Sequence, residues 1–200
     1  MTPGFEYPKE PHVRRHGPAG YSDYESYRDW LRDEFLFRCV YCLHREQWCF
    51  RDATFHLDHF VPVSSDGSGV CDYANLLYAC AACNESKNAI LGLPDPCQIA
   101  FGNCLTITPD GHVVSLNQHG EKLRQTLLLD SPKNVERRSR LMSVLGALRN
   151  GSPDLYMEMM SFPNDLPDLR RKHPPSNTKP QGALSCFFVL REKAQLPLAY

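Results

Sequence analysis

Four of the nine cysteines fall in two Cys-x-x-Cys pairs, Cys39/Cys42 and Cys80/Cys83, separated by a long intervening segment. A Cys-x-x-Cys turn puts two sulfurs on one side of a tight knuckle, and two such knuckles close a tetrahedral four-thiolate shell that suits Zn²⁺. Such a shell has no open coordination position, so the zinc ion expected here is structural. One pair alone could be accidental or a redox motif; two together favour zinc. The other five, Cys49, Cys71, Cys97, Cys104 and Cys186, read as small apolar residues. An odd count without an export signal disfavours a disulfide framework.

A second set of residues lies between and beside the pairs: Asp58-His59, Pro62, Asn75-Leu76, Asn84 directly after Cys83, and Lys87. In full, Cys39-Val40-Tyr41-Cys42, Asp58-His59-Phe60-Val61-Pro62, Asn75-Leu76-Leu77 and Cys80-Ala81-Ala82-Cys83-Asn84 with Lys87 resemble the HNH endonucleases, in particular a zinc-bearing, McrA-like branch. The resemblance spans roughly residues 36–92. It implies the ββα-metal fold, a hairpin and one helix around a divalent ion. It also implies that His59 is the general base and that Asn75 positions the base and the hairpin loop. Asp58 and Asn84 would hold a catalytic magnesium or manganese ion. Asn84 stands where the namesake pattern has its last His, a departure that some members share.

The residue types suit phosphodiester hydrolysis. An imidazole can take a proton from water near neutral pH. A hard cation on Asp and Asn oxygens can contact a non-bridging and a leaving oxygen. Cys83 anchors the start of the helix carrying Asn84, so zinc would support that residue's backbone. Singly, an Asp-His pair reads as hydrogen-bonded structure, Asn75 as a turn and Asn84 as a cap; their joint placement favours catalysis. His56 shares a strand face with Asp58 and could approach the ion, although packing or hydrogen bonding is the simpler role. Lys87 and Arg38 either contact phosphate or are solvated. Lys133, Arg137, Arg138, Arg140 and Arg149 form a basic cluster, either a solvated helix face or phosphate contacts. Arg170-Arg171-Lys172-His173 is a weaker candidate of the same kind.

Elements must hold these residues. Residues 1–20, rich in Pro and Gly, read as an irregular arm. Residues 21–37 read as a helix capped by Ser22 or Asp23, with Tyr24, Tyr27, Leu31 and Phe35 facing the core and Trp30 a further candidate for that face. Residues 38–92 are the zinc-stapled ββα core, with a strand over Thr54–Val63, a turn at Ser64–Gly69 and a helix ending before Gly92. Residues 93–150 read as a hairpin turning at Asp110-Gly111 and a basic helix from Ser131-Pro132 or Asn134 through Leu148. Residues 151–200 are Pro-rich, with an apolar segment at 183–190 that must dock. The fold class is α+β.

Composition sets the outer bounds. At 42% hydrophobic and 22% charged, the chain of 200 residues can bury a core. A net charge of −1 argues against non-specific coating of nucleic acid, yet the second half carries the basic surplus. No apolar run approaches the ~20 residues of a membrane helix, and no secretory signal is visible, so the expected location is the cytoplasm. The expected function is metal-dependent endonucleolytic cleavage of DNA. Alternatives are a non-catalytic zinc module binding nucleic acid or protein, and an RNase or toxin on the same fold. Paired cuts would need a homodimer or rebinding. Defence or mobile-element partner proteins follow by family association only.

Overall fold

The computed structural model describes residues 4–48 and 55–200. Cys49 and Thr54, named above, lie outside them. The protein is α+β: among the described residues, helices surround three two-stranded sheets. The central unit is an antiparallel hairpin of β2 (Phe55–His59) and β3 (Leu76–Cys80), which runs directly into α2 (Ala81–Lys87). Register pairs Phe55 with Cys80, Asp58 with Leu77 and His59 with Leu76. Strand β3 is buried along its whole length, as its apolar run requires. Strand β2 is mixed, so it can present polar groups at its C-terminal end.

The N-terminal helix is shorter than its sequence pattern suggests. Asp23 caps a 3₁₀ turn over Tyr24–Tyr27, and α1 follows over Arg28–Glu34. Tyr27, Trp30, Leu31 and Phe35 are buried, as the spacing predicts, whereas Tyr24 is only partly covered. The arm is irregular but not detached. Phe5 and Tyr7 enter the core, and β1 (Pro18–Ala19) pairs with β6 (Ser176–Asn177). Sequence periodicity cannot register this packing, because the arm is held by scattered side-chain and backbone contacts that follow no helical or strand repeat.

A buried ionic cluster fixes the arm to α1. The Glu34 carboxylate accepts from the Arg15 and His16 backbone N–H groups at 2.7 and 3.0 Å, from the Tyr73 hydroxyl at 2.9 Å, and pairs with His12 at 2.9 Å. Asp33 accepts from His16 and Arg15 side chains and from the Phe187 N–H. That last bond docks the apolar C-terminal segment, which forms a helix over Phe187–Glu192.

Hairpin β4–β5 (Leu105–Ile107, Val113–Ser115) turns through Gly111 at φ +92, a left-handed value that glycine adopts without strain. Helix α3 (Gln118–Thr126), capped by the Asn117 side chain, was not legible in the residue pattern. Helix α4 (Pro132–Gly151) has Pro at its first position, as expected, and packs on α5 (Pro153–Met160). Helical spacing offers Val135, Leu141, Val144, Leu145 and Leu148 as its apolar face; Leu145 is buried, but Arg138 and Met142 are buried with it while Val144 is about half exposed. No described helix is long and apolar enough to cross a membrane.

Candidate active site

The two cysteine knuckles meet. Cys39, Cys42, Cys80 and Cys83 are all buried, with sulfurs within 4.8 Å of one another; Cys42 and Cys80 sulfurs stand 3.6 Å apart. Four sulfurs bound to one zinc ion at about 2.3 Å would be about 3.8 Å apart, so the donor set fits Zn²⁺. The first knuckle turns through Leu43 at φ +63 and is closed by Leu43 N–H to Cys39 O and Cys39 N–H to His44 O. The second is built by the strand-to-helix junction itself, with Cys80 as the N-cap of α2 and Cys83 in its first turn.

Beside this site the end of β2, the Tyr24–Tyr27 turn and the outer face of α2 line an open cleft of about 580 Å³, which includes Tyr24, Glu25, His56, His59, Asn84 and Glu85. His59 lies 2.9 Å, through Nε2, from the Val70 carbonyl. A carbonyl only accepts, so Nε2 carries the proton and the neutral ring keeps its lone pair on Nδ1. The Tyr24 ring meets His59 edge-on at 5.0 Å between centroids. Tyr24 belongs to the site, although its sequence signal was that of a core aromatic. Nothing local in the sequence distinguishes the two.

Asn75 holds the loop that supplies the Val70 carbonyl. Its Oδ1 accepts from the Val61 N–H at 2.7 Å, and its Nδ2 donates to the carbonyls of Val61 and Gly69 at 3.0 and 3.3 Å. A side chain at Gly69 would press on this amide, since a Cβ there would stand 3.0 Å from Asn75 Nδ2. Asn75 therefore straps residues 61 and 69 to the start of β3.

Asp58 has other partners than those expected. Its side chain is 3% exposed, and both oxygens are engaged: Oδ2 by the Tyr41 hydroxyl at 2.5 Å, Oδ1 by the Lys87 ammonium at 2.8 Å. Lys87 also donates to the His59 carbonyl at 2.6 Å and is fully buried. This corrects the reading of Lys87 as a phosphate contact or solvated group. Lys87 lies four residues after Cys83, so α2 turns both inward, while Asn84 is turned toward the cleft. Among the described residues, no protein partner is recorded for the Asn84 side-chain amide. Asp58 and Asn84 line the same cleft, but each Asp58 oxygen already accepts a hydrogen bond from a buried donor, so a divalent ion there would have to share the carboxylate with the Lys87 ammonium. His56 lines the cleft and is half-buried.

The basic residues separate. Arg138 is buried and donates to the carbonyls of Gly111 and Leu129, at 2.9 Å for the latter, so it staples α4 to the hairpin rather than facing phosphate. Arg140 pairs with Glu136 at 2.7 Å, and Lys133, Arg137 and Arg149 are likewise exposed. Arg38 lines a small apolar pocket with Pro8, His12 and Phe35, away from the cleft, and burial lowers its pKa. None of these lines the cleft. Arg170 and Arg171 pair with Asp168.

Residues 39–89 match the family model of the HNH endonuclease. This HNH segment covers both knuckles, His59, Asn75, Asn84 and Lys87, about a quarter of the chain. No curated protein matches the chain. Tyr24 and Glu25, which wall the cleft opposite α2, stand outside the HNH segment.

Proposed function

We propose that the protein is an HNH-type endonuclease that hydrolyses phosphodiester bonds in DNA, with His59 as general base and zinc as a structural staple. The observation that carries this reading is the hydrogen bond from His59 Nε2 to the Val70 carbonyl. It selects the tautomer whose Nδ1 can accept a proton, in a cleft open to solvent. In the proposed reaction, Nδ1 takes the proton of a water molecule as that water attacks phosphorus, and the P–O bond breaks with its electron pair going to the leaving oxygen, which takes a proton from solvent. Tyr24 restrains the imidazole ring, and Asn75 holds the loop that orients it. In this reading the Asn84 amide, which lines the cleft, contacts the substrate phosphate. No step is routed through Asp58, whose carboxylate is already paired. A non-catalytic zinc-module reading explains the cysteines but leaves the oriented imidazole and its strap without a task.

Supercoiled plasmid incubated with the protein in Mg²⁺ or Mn²⁺ buffer tests the proposal. Nicked or linear product is expected, with His59→Ala reduced by about 10²–10⁴-fold while DNA binding persists. Cleavage by His59→Ala at the parent rate would refute the assignment and leave the binding-module reading in its place. An RNA substrate in the same assay tests the choice of nucleic acid.

A further inference from the structure

We propose that Tyr41, Asp58 and Lys87 form a positioning chain linking the zinc knuckle to the general base, and that the cation serving Asp58 is the Lys87 ammonium rather than a divalent ion. The inference rests on His59 being the base. Tyr41 lies between zinc-type cysteines Cys39 and Cys42, and its hydroxyl donates to Asp58 Oδ2 at 2.5 Å. Lys87 donates to Asp58 Oδ1 at 2.8 Å and to the carbonyl of His59 itself at 2.6 Å. Lys87 rides on α2, the helix that Cys80 and Cys83 start. Both ends of the chain are therefore anchored on segments that hold zinc-type sulfurs, and its middle grips the backbone of the base.

Charge and burial favour this assignment over ligation. Asp58 and Lys87 are both buried and neutralise one another, and a buried charge that is paired and hydrogen-bonded on each side is the arrangement proteins tolerate. A divalent ion on Asp58 would have to approach a carboxylate already touching an ammonium, in a place where solvent screens little. Tyr41 is held from its other side too: its carbonyl accepts from the Tyr7 hydroxyl at 2.8 Å, and its ring stacks on Phe101. The Val70 carbonyl orients the His59 ring and Lys87 fixes its backbone. The two restraints are independent, and small displacements of a base are enough to slow proton transfer.

The two roles for Asp58 predict opposite results for Tyr41→Phe, which removes one hydroxyl and leaves the ring in place. Zinc-loaded protein comprising all 200 residues is titrated with Mn²⁺ by electron paramagnetic resonance, its zinc is quantified, and plasmid cleavage is measured in parallel. The positioning chain predicts Mn²⁺ affinity within about twofold of the parent for Tyr41→Phe and for Asp58→Asn, with cleavage lowered about tenfold or more in both and zinc retained. The ligand role predicts that Tyr41→Phe, by freeing an oxygen, tightens Mn²⁺ binding and that Asp58→Asn weakens it by about tenfold or more. Either shift overturns the proposal, as does parent-rate cleavage by Tyr41→Phe. If Asp58→Asn loses its zinc, Tyr41→Phe alone decides. His59→Ala is run beside them: parent-rate cleavage by that variant removes the base assignment, while the Mn²⁺ titrations still judge what Asp58 holds.

Discussion

Replacing Glu34 by Gln tests the ionic cluster that sets the arm, α1 and the turn before Asn75 in place. Burial by itself would raise the pKa of this carboxyl. The hydrogen bond from His12, the backbone N–H groups of Arg15 and His16 and the positive charge of His16 outweigh it, and the pKa falls from 4.5 to about 2. A depressed carboxylate pKa contributes stability that is complete above the unfolded value and is lost as pH falls through the folded one. The window is therefore from about pH 4.5 down to about pH 2. A shift of this size corresponds to about 3 kcal/mol at neutral pH. For a chain of this length that is roughly 6–12 °C in melting temperature. The assay is thermal or urea unfolding of parent and Glu34→Gln between about pH 7 and pH 2.5. Taking the difference between the curves cancels the titrating groups that do not touch Glu34, the cysteine thiols of the sulfur cluster included. The gap should be widest near neutrality and narrow steadily below about pH 4.5. A gap that stays constant across that interval would show that the Glu34 charge is not what the four donors stabilise.

Purified protein should contain about one tightly held zinc ion per chain; Cys80→Ala should lose it and the folded core together, while Cys186→Ala, buried but remote from the sulfur cluster, should keep it, as elemental analysis will report. Asn75→Ala should lower stability by about 2 kcal/mol, since the Val61 N–H loses its acceptor, and should reduce cleavage further than stability accounts for; Asn75→Asp, which keeps the acceptor but faces two carbonyls, should do no better. Arg138→Met should cost about 1–3 kcal/mol in denaturant unfolding and leave DNA affinity alone, because it strips donors from two buried carbonyls. If the exposed Lys133, Arg137 and Arg140 touch phosphates, replacing all three should flatten the salt dependence of DNA binding by up to about 0.9 per lost contact in a fluorescence titration, and an unchanged slope would return them to a solvated face.

Spacing alone made the zinc-type cluster legible. Two Cys-x-x-Cys turns have few ways to satisfy four sulfurs, and the sulfurs do converge. The hairpin, α2, the glycine turn at Gly111 and the Pro-started α4 were also readable, because turn chemistry and helix starts are local properties. Asn75 as a loop strap and His59 on the cleft agree with the resemblance that named them, since both act within one hairpin. What sequence could not supply was direction. Lys87 looked like a free cation one turn from Asn84, and only the packing of α2 against β2 turned its ammonium inward onto Asp58 and the His59 carbonyl. Arg138 stood among exposed basic neighbours, and only the docking of α4 on the hairpin buried it. Tyr24 carried a core aromatic's signal, and the turn over Tyr24–Tyr27 brought it to the rim of the cleft instead. Residue type and spacing determine which chemistry the chain can hold. Whether a charged side chain faces phosphate, a metal ion or a buried partner depends on which surface covers it, and that is decided by contacts between residues far apart in the chain.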